Sequence, residues 1–287
     1  PGRAGWVIFL LPPVLFLLTL FVGRYGIRIE DTLRSLFGAG GVSEVFRSLV
    51  LRVRLPRALA ALCVGANLAV SGAAFQGLFR NPLVDSRILG VSSGAAFGAA
   101  LALLFSASAA AVQGSAFAVA LIAIGLVCTI GWRFGSATLV LVIGGILVSA
   151  LFNALLGLVK YVADPLSTLP AITYWLLGSL ARSSWETIPP LLVLTGLGLV
   201  FFFLVRWRLN LLTLTASEAS ALGVRVVPFR TAVIVVGTVM IAASVSLAGM
   251  IGWIGLVIPH VARAWVGPDH AKLIPASAAL GAATLIA

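Results

Sequence analysis

Uncharged apolar runs, each about as long as a lipid bilayer is thick, follow one another through most of this chain. Four of them cover residues 4–23, 58–79, 134–159 and 187–205. A bilayer core about 30 Å thick is crossed by roughly 20 helical residues, so each run is predicted to form one transmembrane helix. Charged residues make up only 9% of the sequence, against about a quarter in soluble domains. Lipid is therefore the expected solvent of this protein.

Three further apolar stretches need to be divided. Residues 88–132 are too long for one span, and the small and polar segment 106–115 predicts a break between two helices. Residues 231–262 are divided near Gly249 into two spans, the second of them short. Residues 275–287 open a ninth span that stops too early to cross. We expect one all-α, polytopic transmembrane domain over residues 1–287, with eight helices and part of a ninth, truncated at its C-terminus.

The remaining composition excludes several classes of protein. Arg3 followed by an apolar run also occurs in signal peptides, but this run is too long and lacks a small-x-small cleavage site. Cys63 and Cys128 lie inside predicted spans, so neither a disulfide framework nor a metal site is indicated. His260 and His270 have no neighbouring ligands in the sequence. We predict no metal and no cofactor bound by this chain.

Basic residues outnumber acidic ones, 19 to 8, yet they lie almost wholly in the connections between spans. Juxtamembrane charge explains them better than a nucleic-acid partner does. With the N-terminus inside, they divide almost equally between the two sides, which gives no positive-inside bias. The first long loop concentrates arginines on the outer face. Either the orientation is wrong, or that face needs arginine for another purpose, such as docking a protein.

Polar residues within the spans suggest how transport would be energised. They include Asn67, Ser71, Gln76 and Asn153, without a mid-span carboxylate or lysine. Ion-coupled transporters usually carry ionisable groups there, so a secondary transporter is disfavoured, although a charge in later helices could restore it. Neither lysine of the chain completes a GxxxxGK[ST] phosphate loop, so any nucleotide would bind another polypeptide. An intramembrane enzyme is also disfavoured, because no span carries paired acids, HExxH or a serine–histidine dyad.

Glycines recur at helical spacing in two of the spans. Gly90, Gly94 and Gly98 form one small face, and Gly65 and Gly72 form another on the preceding helix. Such faces let membrane helices approach closely. We predict that these glycines pack helices together, and we assign them no contact with a substrate.

A short helix is predicted in the polar connection near residue 218. Residues 215–218 have the spacing of a capping box, and Gly223 suits the left-handed residue that ends a helix. A helix over residues 216–222 is too short to be stable alone in water. Either it is an ordinary surface helix, or it docks against a partner.

The two ends of the second span carry prolines. Pro56 fits the first turn of a helix, which places Arg54 and Arg57 at one mouth of the membrane, where snorkelling anchors are the alternative. Pro82 ends the same span, because the residue before a proline is biased away from helix. Asn81 and Leu83 are then expected at the opposite mouth.

With these residues in place, the chain resembles the FecCD-type permeases of type II ATP-binding cassette importers, which carry iron-siderophores, haem and vitamin B12. Four ordered sequence blocks carry the resemblance. They are Arg54–Arg57 with Gly72, Gln76, Asn81–Leu83 and Ile88–Gly90; Trp175 with Gly178–Leu180; Ala221–Val224; and Gly255–His260 with Arg263, Gly267, Asp269 and His270. One departure is Asp85-Ser86-Arg87, which replaces a proline-containing stretch common in the family.

The resemblance implies a fold of ten helices in two inverted sets around a central second helix, in a bacterial or archaeal inner membrane. It implies a homodimer with two ATPase subunits, which hold ATP and Mg²⁺, and a soluble binding protein that delivers a metal chelate. An oxyanion substrate stays open. The implied roles are docking of the binding protein by Arg54 and Arg57, a cytoplasmic gate at Asn81, Leu83, Ala137 and Thr138, and a coupling helix containing Ser217, Glu218, Ala221, Leu222 and Gly223.

Overall fold

The computed structural model describes residues 7–23, 25–38, 41–85, 88–135, 138–214, 216–223 and 225–286. Within those residues the chain is helical and contains no β-strand, as predicted. The α-helices are α1 (Val7–Phe21), α2 (Ile29–Phe37), α3 (Glu44–Ser48), α4 (Leu55–Phe79), α5 (Val91–Leu104), α6 (Ala109–Phe134), α7 (Thr138–Val162), α8 (Thr168–Leu177), α9 (Ile188–Leu209), α10 (Ala216–Ala221), α11 (Val226–Ala248), α12 (Ile254–Val266) and α13 (His270–Ile286). A π-helical segment (Leu49–Arg54) joins α3 to α4, and short 3₁₀ turns cover Leu180–Arg182 and Asn210–Thr213.

The helices match the predicted spans. Five helical stretches among the described residues are long and apolar enough to cross a membrane. They are Glu44–Phe79, Ala109–Phe134, Thr138–Val162, Ile188–Thr213 and Val226–Ala248. Shorter apolar helices are α1, α5, α8, α12 and α13. The predicted eight helices and part of a ninth correspond to α1, α4, α5, α6, α7, α9, α11, α12 and α13.

Both predicted breaks are present. The first falls between α5 and α6 and is shorter than expected, because α6 already begins at Ala109, where the Ser108 side chain accepts a hydrogen bond from the Ala111 amide. A serine in this position satisfies one of the amides that a helix start leaves without a partner. The second break follows Gly249, which ends α11 with a φ of 73°.

Helix α4 is the centre of the bundle and is almost wholly buried. Its Gly65 lies against the backbone of Gly281 in α13, and a Cβ at Gly72 would collide with the Gly255 carbonyl of α12. On α5, Cβ atoms at Gly94 and Gly98 would meet α6 at Val119 and Ser115. The prediction that glycines pack the helices together is confirmed for these four, whereas Gly90 lies just before α5 at a φ of 77° and faces Val148 of α7.

Pro56 lies in the first turn of α4, as predicted. The prediction missed that α4 continues from helical turns before it, because the helical stretch already begins at Glu44. Proline cannot donate the usual backbone bond to the preceding turn. The chain passes this point through π-helical turns, in which the Leu55 amide reaches back to the Val50 carbonyl. The amphipathic α2 and the short α8 were also not predicted.

Candidate functional site

Arg54 organises the mouth that is predicted to face outward, here called the outer mouth, and lies at the junction between the π-helical segment and α4. Its guanidinium donates hydrogen bonds to the carbonyls of Leu20 (2.8 Å), Phe21 (3.4 Å) and Tyr25 (2.7 Å). The last carbonyls of a helix have no partner within the helix, so Arg54 closes the C-terminus of α1. A Cβ at Gly23 would lie 2.6 Å from Nη2 of Arg54, so a larger residue here would displace the guanidinium. Arg54, which was predicted to contact a partner protein, therefore makes most of its hydrogen bonds within its own chain.

Arg57, one turn further along, is exposed. Arg54 and Arg57 line a cavity of about 460 Å³ together with Tyr25, Leu49 and Leu180. The neighbouring π-helical segment is held by Trp185, whose indole N–H donates to the Leu51 carbonyl at 2.7 Å. The outer mouth therefore has a pocket with two cationic side chains, of which Arg57 is the more accessible.

The opposite mouth, predicted to face the cytoplasm and here called the inner mouth, begins where α4 ends at Arg80, a residue with a left-handed φ of 51°. The Asn81 side chain accepts a hydrogen bond from the Leu83 amide at 2.9 Å, which closes a tight turn. The Leu83 side chain is 78% exposed. The structure therefore brings Asn81 and Leu83 together, with Asn81 shaping the turn and Leu83 presenting an apolar surface.

The buried Gln76 side chain connects this turn to α12, a contact that was not predicted from the sequence. The Gln76 amide donates to the carbonyls of Val84 (3.4 Å) and Leu256 (3.3 Å), and its oxygen accepts from Arg263 (2.9 Å). Gln76 is 3% exposed. The turn is thus bonded to α12. In the sequence, the only indication of this contact was that Gln76 and Arg263 both belong to blocks of the family pattern.

The other predicted gate residues are Ala137 and Thr138. Ala137 lies outside the described residues, as do Ser86 and Arg87 of the unusual stretch. Thr138 is the first residue of α7 and is half-buried. About two turns further on, Gly145 packs so closely on the Ile88 carbonyl that a Cβ would collide with it. Thus α7 contacts the loop that follows the Asn81 turn.

The predicted short helix is present as α10, one residue shorter than expected. The Leu222 amide still donates to the Glu218 carbonyl, and Gly223 has a φ of 81°, which confirms the left-handed ending. Thr215, the predicted cap, lies outside the described residues. Ser217 belongs to α10, and Glu218 and Ala221 are exposed. Leu222 is 62% exposed and borders a cavity of about 430 Å³ with Trp207 and Phe229.

The polar residues in the middle of α4 have structural partners. The Asn67 amide donates to the hydroxyls of Thr195 (2.9 Å) and Ser244 (3.1 Å), which joins α4 to α9 and α11. The Ser71 hydroxyl donates to the Gly237 carbonyl at 3.1 Å. Polar groups in a membrane interior are stabilised by such bonds between helices. These residues hold the bundle together.

Two acidic side chains in the loops, those of Asp269 and Asp164, form hydrogen bonds with nearby residues. Hydrogen bonds from the Asn210 amide and the Ala271 N–H hold the pKa of Asp269 below its ordinary value. The hydroxyl and amide of Ser167 lower the pKa of Asp164 in the same way. Among the described residues, no three His, Cys, Asp or Glu side chains are grouped as metal ligands.

The chain matches the model of the FecCD transport family over residues 10–287. This chain belongs to the FecCD family. It is 39% identical over 289 residues to the molybdate import system permease protein MolB of Haemophilus influenzae, covering 96% of this chain and 86% of that protein. It is 42% identical over 238 residues to a probable iron chelatin transport system permease protein of Helicobacter pylori, covering 83% and 72%. A solved structure described as an inward-facing conformation of a putative metal-chelate type ABC transporter superposes with a TM-score of 0.90 at 37% identity, covering 100% and 89%.

Family membership decides the general function. The chain is a multi-pass membrane permease subunit of an ATP-binding cassette importer, and ATP hydrolysis belongs to separate subunits. The alternative of an ion-coupled secondary transporter was wrong. Residues of separate family blocks meet in the fold, because Gly72 contacts Gly255 and Gln76 bonds Arg263.

Proposed function

We propose that this permease pairs with a second copy of itself and passes a metal chelate inward between the two copies. A soluble binding protein would deliver the chelate at the outer mouth, and two ATPase subunits would bind at α10. The observation that carries this proposal is the superposition of the whole chain on a protein described as a metal-chelate transporter.

The side of α7 that faces away from the rest of the bundle supports the pairing. Ala150, Asn153 and Gly157 lie on one exposed stripe at spacings of three and four residues. Asn153 is near the middle of a helix whose residues are mostly apolar. An amide in contact with lipid tails is costly, and small residues favour close approach of another helix. A second copy of α7, or a water-filled path beside it, would accommodate this stripe.

The outer mouth would receive the binding protein through Arg57. Its exposed guanidinium and the cavity beside it can accept a carboxylate from a partner, while Arg54 keeps α1 and the following loop in place. Close charge pairs in protein interfaces have shown couplings of roughly 1.5 to 7 kcal/mol. At the inner mouth, Asn81, Leu83 and Thr138 would form the gate, and the exposed Leu222 would anchor α10 in the ATPase.

A second substrate class is supported by one specific observation. The relative named as a molybdate permease aligns with 96% of this chain, so a tetrahedral oxyanion is the alternative to a chelate. Both substrates need the same partners, and the outer and inner sites described above do not distinguish them.

The test is to reconstitute the permease with its ATPase and binding protein in proteoliposomes. ATP hydrolysis is measured with a ferric siderophore, haemin, cobalamin or molybdate. We expect one of the three chelates to stimulate hydrolysis and to enter the vesicles. Stimulation by molybdate alone would show that the substrate is an oxyanion and not a chelate. If none of the four compounds stimulates hydrolysis, both proposed substrate classes are refuted.

Pairing is tested separately. The mass of the reconstituted permease should correspond to two copies. In a background with Cys63→Ala and Cys128→Ala, Gly157→Cys should form an intermolecular disulfide. The matched control is Val200→Cys on the exposed face of α9, which should not. Cross-linking of the control alone would place the interface elsewhere.

A further inference from the structure

The 3₁₀ turn Asn210–Thr213, here called the connector, joins the cytoplasmic end of α9 to the segment that leads into α10. Its Leu212 side chain is buried, and the Thr213 hydroxyl donates to the Asn210 carbonyl at 2.6 Å. The connector is therefore an ordered turn directly before the proposed coupling helix.

Arg80 bonds the connector to the end of α4. Its Nε donates to the Leu212 carbonyl at 3.2 Å. Arg80 itself is held in the left-handed conformation by the end of α4, where its amide donates to the Gly77 carbonyl and the Asn81 amide donates to the Gln76 carbonyl. A residue with a side chain is rare in this backbone region. The next residues form the Asn81–Leu83 turn, so one residue joins the connector to the proposed gate.

Asn210 bonds the connector to the start of α13. Its amide donates to an Asp269 carboxylate oxygen at 2.8 Å, and its oxygen accepts from the His270 backbone amide at 2.9 Å. The same oxygen lies 2.8 Å from Nδ1 of His270. The His270 ring is 4% exposed and lies so close to Gly77 that a Cβ there would collide with it. This second connection therefore also ends on the last turns of α4.

We propose that Arg80 and Asn210 are positioning residues that transmit displacement of α10 to the Asn81–Leu83 turn. This inference rests on the roles proposed above for α10 and the turn. A shift of the connector relative to the end of α4 would break the Arg80 bond. A shift relative to the start of α13, whose His270 packs on Gly77 of α4, would break the Asn210 bonds. The alternative is that α10 acts through α11 alone, in which case the two side chains only stabilise the fold.

The experiment compares Arg80→Gln, Arg80→Lys and Asn210→Ala in the complete complex with ATPase and binding protein. The readout is substrate transported per ATP hydrolysed, measured together with complex assembly and unfolding temperature. The matched control is Arg133→Gln, an exposed arginine in the last turn of α6. We expect Arg80→Gln and Asn210→Ala to assemble and hydrolyse ATP, with transport per ATP reduced roughly tenfold, a typical size for coupling between two sites.

Arg80→Lys should recover much of the ratio, because its ammonium can still donate to the Leu212 carbonyl, and Arg133→Gln should match the wild type. A wild-type ratio in an assembled Arg80→Gln or Asn210→Ala complex would overturn the inference. Loss of assembly in both variants would also overturn it, since the contacts would then be a structural brace. A wild-type complex without any transport would instead count against the proposed function.

Discussion

Replacing Arg54 with alanine should loosen α1 from the bundle. The change removes two short hydrogen bonds, to the carbonyls of Leu20 and Tyr25, and one long bond to Phe21. A hydrogen bond to a charged group contributes about 1.5 to 3 kcal/mol. Since the bond to Tyr25 is solvent-exposed, we expect the two short bonds to contribute roughly 2 to 4 kcal/mol in total.

Two companion variants separate this role from docking. Gly23→Ala should have a smaller effect in the same direction, because its Cβ would lie 2.6 Å from Nη2 of Arg54 and push the flexible guanidinium away from its carbonyl partners. The double variant should be less destabilised than the sum of the two, since both remove the same contacts. Arg57→Ala, at an exposed position, should change stability by less than about 0.5 kcal/mol.

The assay is unfolding in nanodiscs combined with hydrogen exchange over residues 20–26. Arg54→Ala should speed exchange there and lower the unfolding temperature, and Arg57→Glu should leave both unchanged while weakening binding-protein affinity. That affinity should also fall as salt rises in the wild type, because exposed charges are screened. Unchanged exchange in Arg54→Ala, with affinity lost, would refute the structural role and restore docking to this residue.

Four further predictions concern coupling, packing, pH and orientation. Leu222→Asp should abolish transport while the permease still folds, because it places a charge on the exposed apolar residue proposed to anchor α10 in the ATPase. Retained ATPase binding with substrate-stimulated hydrolysis would contradict this. Gly72→Val should cost about 3 kcal/mol or more by unfolding assay, since its Cβ meets a backbone carbonyl, whereas Gly196→Ala, with open space around it, should cost little. The hydrogen bonds that lower the pKa of Asp269 contribute stability that is present above the ordinary pKa of about 4 and is lost as pH falls through the lowered value. Stability against unfolding should therefore fall more between pH 7 and pH 3 in the wild type than in Asp269→Asn. In intact cells, an impermeant thiol reagent should label Ser184→Cys and not Ser217→Cys; the reverse pattern would invert the orientation.

The helices and their packing could be predicted because both depend on local properties of the sequence. Span length follows from bilayer thickness, so even the division of residues 88–132 was correct. Gly249 and Gly223 end helices at positive φ, which glycine adopts more readily than other residues. The faces of Gly65 and Gly94 contact neighbouring helices for the reason inferred from their spacing, namely close backbone approach.

The arginine and glutamine contacts could not be predicted, because they join residues far apart in sequence. The motif containing Arg54 and Arg57 suggested a shared role, yet only the fold shows that Arg54 reaches Leu20. Likewise, the family pattern places Gln76 and Arg263 in separate blocks, but only the fold shows that they bond across 187 positions. Helix α2 was missed because its charged, nine-residue sequence resembles an ordinary loop when only spans are sought.

The bonds along α4 indicate how the proposed transport cycle would move this subunit. At the outer end Arg54 joins the start of α4 to α1, in the middle Asn67 joins it to α9 and α11, and at the inner end Arg80 joins it to the connector. Sliding α4 past its neighbours would break contacts at all three levels and separate closely packed glycine backbones. Packed helices shift between discrete arrangements rather than deforming continuously. These bonds therefore favour movement of the subunit as a unit when force is applied at α10, and in the proposed pair of copies the path would then open where α7 presents its exposed small and polar stripe.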